Sequence, residues 1–442
     1  MERTLEPAGI RGAVLAIAMC LAALLCYQAS RLWLADRDTR SDTLARLERG
    51  AALEPGNAEA WDALGRFRQL DFTNPDPDGA LADYQRSVQA NPLSAHHWMN
   101  LAGAYEANGD ITRARDAFQQ ARAVYPLSAE VAWNYGNFLL RQDQSAQGYA
   151  EIQHAVRSDP KLLTLAISRT WRSSRDVNVL LDSVLPVDSK AYLLAVDYFA
   201  STKQLEPALV VWQRIVALGK PIELPRSFPF LDELIAEDRA ADAKKIWKDA
   251  LTLAGLNHDA PSNNSLVWNG DFAREFLQGG LDWRFVTPPG VDFEFDTVPQ
   301  NYGVRSAQLF FGGGTNVSIT EPRQFVPVEP SRWYRFHAYM RTQALSTETG
   351  TRFLITDPNH LNAVLARTEN FTASHPWTAT DLDVQTSPDT HFLLVQLFRE
   401  PSRMFDNKLS GTMWIADVSL TPEAAPTAAP AAAAATPEPL PR

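Results

Sequence analysis

The sequence contains little cysteine and no excess of positive charge. Its two cysteines, Cys20 and Cys26, both lie in an apolar segment near the N-terminus. The rest of the chain therefore cannot form a disulfide framework or a cysteine-based zinc site. The 442 residues include 41 Lys and Arg against 52 Asp and Glu, a net charge of −11. This balance argues against nonspecific nucleic-acid binding, which needs a basic surface.

Patterns that mark common catalytic sites are also missing. The eight histidines show no HExxH spacing, no GxSxG motif is present, and the glycines at 312–314 are not followed by the Lys-Ser/Thr of a phosphate loop. Asp292, Glu294 and Asp296 alternate with apolar residues. We therefore interpret them as the solvent-exposed face of a strand rather than as a glycosidase acid pair. We predict that the protein is not an enzyme, since a divergent hydrolase would require an acid pair that the sequence does not display.

The chain has one long apolar run, from Ile10 to Leu34. Its 25 residues would extend roughly 37 Å as a helix, which is enough to cross a bilayer. We predict a transmembrane anchor over residues 10–35, preceded by a tail of residues 1–9. A cleaved signal peptide and a buried helix of a soluble protein are the alternatives, although no good Ala-x-Ala cleavage site follows the run. Arginines flank the run on both sides, so the positive-inside rule leaves the orientation open.

A period of 34 residues follows the apolar run. Pro92, Pro126 and Pro160 are 34 residues apart, and small and aromatic residues recur between them at offsets of three and four. Such offsets place the residues on one face of each helix in successive helix pairs. Pro55 and Pro92 are 37 residues apart, and we assign the three extra residues to the loop Asp71–Gly79.

This pattern resembles the tetratricopeptide repeat, whose consensus runs Trp, Leu-Gly, Tyr, Ala, Phe, Ala, Pro. The unit that begins at Ala95 matches it at Trp98, Leu101, Tyr105, Ala114, Phe118, Ala121 and Pro126. With weaker units further on, we predict an α-solenoid of tetratricopeptide-like helix pairs over residues 41–256. The resemblance implies a concave surface for a protein partner. Asn100 and Asn134, on the first helices of their pairs, are candidate partner-binding residues unless they are simply solvated.

The second half of the chain has a different periodicity. Residues 257–265 are polar and indicate a linker. Beyond them apolar and polar residues alternate, as in Trp333–Thr342, and Gly, Pro and Asn separate the short segments. This pattern predicts an antiparallel β-sandwich over residues 266–421, so the fold class is multidomain, α then β. Residues 422–442 are rich in Ala and Pro and predict a disordered tail.

Three short motifs lie near the first and last strands of the predicted sandwich. They are WNGDF at Trp268–Phe272, GVRSAQLFF at Gly303–Phe311 and GTMWIADVSL at Gly411–Leu420. Together they resemble the galactose-binding-like jelly roll of carbohydrate-binding modules. The motifs support the fold more than the ligand, because similar domains also serve as accessory modules that bind no sugar.

The resemblance also implies a metal and a ligand. Family members often hold one structural calcium, and Asp417 occupies the acidic position of the last strand, whereas Ala273 and Ala416 replace two other family acids. No other cofactor is implied. A sugar site would combine aromatic rings with hydroxyl-binding side chains. The candidate carbohydrate-binding residues are Trp283, Asn316, His337, Tyr339, Arg341 and Gln396. The alternative is that Trp283 fills the core and the others lie on an ordinary solvated face.

These observations lead to one hypothesis with an alternative. The hypothesis is a single-pass protein of the bacterial inner membrane whose solenoid and sandwich face the periplasm. The solenoid would bind a protein partner and the sandwich a glycan, in polysaccharide synthesis, export or envelope organisation. The alternative is a purely structural adaptor whose sandwich binds no sugar.

Overall fold

The computed structural model describes residues 8–256, 264–297, 305–405 and 407–424. The chain forms two compact units, Met1–Pro186 and Val187–Arg442. The predicted N-terminal tail, the linker and the Ala/Pro-rich tail lie almost wholly outside the described residues, so the domain bounds stay predictions.

The first unit is built of antiparallel helix pairs that follow one long helix. Its helices are α1 (Ala8–Thr39), α2 (Leu44–Leu53), α3 (Ala58–Leu70), α4 (Pro77–Ala90), α5 (Ala95–Ala107), α6 (Ile111–Val124), α7 (Ala129–Arg141), α8 (Ser145–Ser158), α9 (Leu163–Ser174) and α10 (Val177–Val179). Three residues connect α5 to α6 and α7 to α8, whereas six connect α3 to α4. The three-residue insertion therefore lies in the loop that the proline spacing predicted.

The repeat begins with the same local interactions in successive units. The side chains of Asn57, Ser94 and Ser128 cap α3, α5 and α7 by accepting backbone N–H groups of the first turn. Such caps satisfy donors that have no partner within the helix. The indole of Trp61 donates to the carbonyl of Pro55 at 2.9 Å, and Trp98 donates to Pro92 at 2.8 Å. Each Trp–Pro pair thus ties the start of a repeat to the preceding turn.

Small residues let the helices of a pair approach closely. A Cβ on Gly136 would lie 3.0 Å from the carbonyl oxygen of Gly148, so the backbones of α7 and α8 nearly touch there. Aromatic rings then fill the space between neighbouring pairs. Phe118 packs against Tyr135 and Phe138 of the next helix pair at centroid distances of 5.6 and 5.0 Å. The predicted helical repeat is confirmed.

In the residues that the structure describes, the second unit combines four α-helices with nine strands. The helices are α11 (Ser189–Ser201), α12 (Leu205–Leu218), α13 (Phe228–Ala236) and α14 (Ala240–Leu253). The strands are β1 (Val291–Thr297), β2 (Arg305–Gly312), β3 (Arg323–Pro327), β4 (Trp333–Leu345), β5 (Arg352–Asp357), β6 (Ala363–Arg367), β7 (Ala373–Gln385), β8 (Phe392–Phe398) and β9 (Ser410–Glu423).

The strands form two antiparallel sheets around one core. The order is β1-β2-β9-β4-β7 in the five-stranded sheet and β3-β8-β5-β6 in the four-stranded sheet. Inward residues of both sheets meet in a buried cluster, where Phe336 of β4 and Phe353 of β5 have centroids 5.1 Å apart. The predicted sandwich is confirmed, and its topology is consistent with a jelly roll.

The helices of the same unit contact the four-stranded sheet at β3 and at two loops beside it. Asp238, directly after α13, accepts a hydrogen bond from Asn359 at 2.6 Å and lies 2.6 Å from Nδ1 of His391. Arg284 forms an ion pair with Asp232 of α13 and stacks on Phe325 of β3. β8 is apolar at nearly every position because both of its faces are buried.

Candidate functional site

The outer face of the five-stranded sheet carries a row of partly exposed side chains from β4. Alternate residues Trp333, Arg335, His337, Tyr339 and Arg341 point away from the core, while the residues between them are buried. The row follows from the period of two in a strand, which sends successive side chains to opposite faces. We call these five residues the β4 row.

Carboxylates of the neighbouring strands pair with the middle of the β4 row. Arg335 and His337 stand directly opposite Asp383 and Asp381 of β7. Arg335 forms an ion pair with Asp383, and Nδ1 of His337 lies 3.0 Å from Asp381. Cross-strand pairs of this kind stabilise a sheet by roughly 0.2–1 kcal/mol each. The pairs also fix the orientation of the arginine and the imidazole.

Aromatic rings flank the charged pairs. Tyr339 packs edge-on against His337, with ring centroids 4.9 Å apart. The guanidinium of Arg341 lies over the ring of Trp414 on β9, 4.6 Å from its centroid. The β4 row therefore offers rings and hydrogen-bonding groups on one exposed face. Trp414 was not among the predicted residues, although its place in the GTMWIADVSL motif offered a signal.

Three predicted site residues do not join the β4 row. Trp283 is fully buried in the core, where its indole donates to the carbonyl of Asn269 at 3.2 Å. Asn316 uses its whole amide group on the backbone of Ser402, as donor at 2.8 Å and acceptor at 3.0 Å. Gln396 is nearly buried on β8, in the other sheet. Of the six predicted carbohydrate-binding residues, His337, Tyr339 and Arg341 lie together.

Asp417 occupies an irregularity in β9. Its φ of 47° is left-handed, and the pairing of β4 with β9 shifts register between His337 and Tyr339, opposite this residue. Such a bulge re-aims a side chain out of the regular ladder. Within the described ranges, no group of three or more His, Cys, Asp or Glu side chains could hold a metal ion. The calcium ligand thus remains a prediction from the resemblance alone.

Asp282 is a buried carboxyl that no sequence motif singles out. One oxygen accepts a hydrogen bond from the backbone of Leu277 at 2.5 Å, and the other has no hydrogen-bond partner in the described part of the chain. Burial raises the pKa of Asp282 from 3.8 to about 7, although its hydrogen bonds oppose the shift. The folded state therefore holds this proton more tightly than the unfolded chain does.

Replacing Asp282 with asparagine should change the pH dependence of stability. Because the pKa of Asp282 is raised in the folded state, its contribution to the free energy of unfolding is fully present below pH 3.8. This contribution is lost as the pH rises through about 7. As the pH rises from about 4 to about 7, the unfolding midpoint of the variant should therefore rise by several °C relative to that of the wild type. Thermal unfolding of both proteins across this range tests the expectation. A difference that does not vary with pH would contradict it.

The predicted partner-binding residues lie in the first unit, on first helices of adjacent pairs. Nδ2 of Asn100 donates to buried Asp62 of α3 at 2.7 Å, whereas Asn134 donates to the carbonyl of Glu130 in its own helix at 2.9 Å. Fully buried His97 lies 3.3 Å from Glu59. Asp62 and His97 were not among the predicted residues, because a single repeat pattern does not mark polar residues that bridge two helices.

The comparisons with known proteins agree with this architecture. The model of the tetratricopeptide repeat family matches residues 72–121 and 104–161. Residues 72–161 are tetratricopeptide repeats. Such repeats are typical of scaffolds for protein–protein interaction. No curated relative matches the sequence significantly.

Several solved structures resemble parts of the chain. The crystal structure of MamA is 14% identical in sequence. The match covers 39% of this chain and 85% of the MamA chain, with a TM-score of 0.26. YrrB, a TPR protein with an unusual peptide-binding site, is 13% identical. The match covers 47% of this chain and 92% of the YrrB chain, with a TM-score of 0.24. A CBM4 structure is 11% identical. The match covers 36% of this chain and 99% of the CBM4 chain, with a TM-score of 0.27. At these TM-scores the similarities carry no conclusion about function.

Proposed function

We propose that the protein is a membrane-anchored, non-enzymatic scaffold that holds a protein partner on its repeats and a glycan on the β4 row. The repeats support the first role, because stacked helix pairs offer an extended surface to another protein. The second role is supported mainly by the exposed combination of Tyr339, His337 and Arg341. Aromatic rings accept the apolar faces of sugars, and charged side chains bind hydroxyl groups.

The membrane anchor is part of this proposal. α1 contains a stretch, Arg11–Thr39, that is long and apolar enough to cross a bilayer, and 18 consecutive residues within it have a mean hydropathy of 2.0. A signal sequence has the same properties. We place the anchor in a bacterial inner membrane with the repeats and the sandwich in the periplasm. There the protein would serve polysaccharide synthesis, export or envelope organisation.

Glycan binding by the β4 row predicts that Tyr339→Ala and Arg341→Ala each lose affinity. Both residues sit on an exposed face, so their removal should weaken saccharide binding roughly tenfold with little loss of stability. The measurement is the thermal midpoint of the full-length protein in detergent against a panel of oligosaccharides and polysaccharides, with and without calcium. A ligand that binds only the folded state must raise this midpoint.

Arg352→Ala is the matched control. Arg352 also lies over an aromatic ring, that of Phe398 at 5.4 Å, but it belongs to the four-stranded sheet. Its replacement should leave saccharide binding unchanged. Equal losses in Arg352→Ala and Arg341→Ala, or no midpoint shift with any saccharide, would contradict glycan binding by the β4 row.

A purely structural adaptor is the second candidate function. The observation in its favour is that Arg335 and His337 already pair with carboxylates of β7, so part of the β4 row is occupied within the sheet. In this case the sandwich would dock a protein rather than a sugar. Co-purification of a protein that depends on the β4 row, together with a flat response to saccharides, would favour the adaptor.

A further inference from the structure

A pocket of about 680 Å³ lies in the first unit, where α1 ends. Its walls come from the end of α1 and the residues after it, from α3 and from the loop before α4. Its lining includes Arg40, Asp42, Arg66, Leu70, Asp71 and Phe72. We call this cavity the α1 pocket.

The end of α1 is packed into the repeats rather than joined to them by a free linker. Ala35 and Asp38 are fully buried, and Asp38 accepts a hydrogen bond from Arg49 of α2 at 2.5 Å. A Cβ on Gly50 would lie 3.1 Å from the backbone nitrogen of Thr39. The apolar helix and the α1 pocket are therefore connected through a packed contact.

In the proposed function α1 crosses a membrane. The packed contact then sets the depth of the α1 pocket relative to the bilayer. The apolar run ends at Leu34, and Thr39 follows five residues later, about 7 Å further along the helix. The polar headgroup layer of one leaflet is roughly 5–7 Å deep. The α1 pocket would consequently open at the level of the headgroups.

Two apolar side chains beside the pocket have no place in the protein core. Phe72 is 96% exposed and Leu70 is 58% exposed, and both sit at the loop that the three-residue insertion lengthens. Amphipathic surfaces that carry such residues bury them at the boundary of headgroups and acyl chains. Their exposure at this depth favours contact with lipid over contact with water.

The charges of the α1 pocket are balanced. The lining contains two arginines, Arg40 and Arg66, and two aspartates, Asp42 and Asp71, so it has no net charge. Among the described residues Arg66 and Asp42 form no ion pair, while Arg40 pairs with Asp36 at 2.9 Å on an exposed surface, where such pairs contribute little. Asp71 already accepts hydrogen bonds from Thr73. A ligand with one anionic and one cationic group would satisfy the free charges.

We propose that the α1 pocket binds the headgroup of a phospholipid that carries both a phosphate and a primary ammonium. Arg40 and Arg66 hold the phosphate, and Asp42 accepts hydrogen bonds from the ammonium. Leu70 and Phe72 contact the start of the acyl chains. This inference rests on the anchor of the proposed function and adds a specific lipid site to it.

The test is native mass spectrometry of the detergent-solubilised full-length protein titrated with phosphatidylethanolamine, phosphatidylcholine and phosphatidylglycerol. We expect phosphatidylethanolamine to bind tightest. Arg66→Ala should weaken its binding about tenfold or more, because a charge-assisted contact is lost. Asp42→Asn should remove the preference over phosphatidylcholine, and Phe72→Ser should weaken binding of all three lipids. Soluble glycerophosphoethanolamine, which lacks acyl chains, should bind more weakly than phosphatidylethanolamine, and equally tight binding would point to a soluble ligand and overturn the proposal.

Matched controls come from later repeats. Arg113 is an exposed arginine with an acidic neighbour three residues away, and Leu93 is an exposed apolar loop residue. Arg113→Ala and Leu93→Ser should bind lipid as wild type does. Equal binding by wild type and Arg66→Ala, or a preference for phosphatidylglycerol, would overturn the proposal. Carbonate extraction separates the two hypotheses, since release of the wild type from membranes would refute the anchor itself.

Discussion

Replacing Trp283 with alanine should destabilise the sandwich by about 3–5 kcal/mol, the usual cost of removing a large buried aromatic side chain. The ring is fully buried and packs against Phe272 and Phe276 at centroid distances of 5.7 and 6.2 Å. Its indole also ties the core to the loop at Asn269. The variant would leave both a cavity and a carbonyl without its partner.

Hydrogen exchange of β4 and β8 in the full-length protein measures this loss directly, because it reports the opening free energy of the sandwich alone. Tyr339→Ala is the control, since its partly exposed ring should cost less than about 1 kcal/mol. If Trp283→Ala kept native protection in both strands but lost saccharide binding, Trp283 would be a ligand contact and its assignment to the core would be wrong.

The repeats could be predicted from the sequence because their determinants are local. Each Trp–Pro hydrogen bond, each helix cap and each small residue at a crossing lies within one period of 34 residues, so the spacing alone shows them. The position of the insertion before α4 followed from the same spacing. Contacts that bridge two repeats, such as that of Asp62 with Asn100, have no fixed spacing and could not be predicted.

The candidate site could be predicted only in part, because a sheet face is assembled from strands that are distant in the chain. Alternation within β4 correctly grouped His337, Tyr339 and Arg341. Alternation within β8 could not tell that Gln396 belongs to the other sheet, where it is nearly buried. Nor does any local pattern mark Arg399, which is fully buried and donates to the carbonyl of Thr349 at 2.8 Å.

Replacing Gly270 of the WNGDF motif with alanine should destabilise the sandwich by about 3 kcal/mol. A Cβ on Gly270 would lie 1.9 Å from the carbonyl oxygen of Val418, a backbone atom that cannot swing aside. The same two residues share a hydrogen bond from the N–H of Val418 to the carbonyl of Gly270 at 2.9 Å. An added methyl group must therefore push the motif away from β9 and break this bond.

Gly314→Ala is the matched control, because its added Cβ would meet nothing within 4 Å. Hydrogen exchange of β9 should show faster opening in Gly270→Ala and native rates in Gly314→Ala. Equal protection in the two variants would show that the close approach of Gly270 to β9 is not needed for stability. The expected contrast would explain why the motif marks the fold rather than the ligand: its glycine is required by the backbone of the last strand, whichever molecule the β4 row binds.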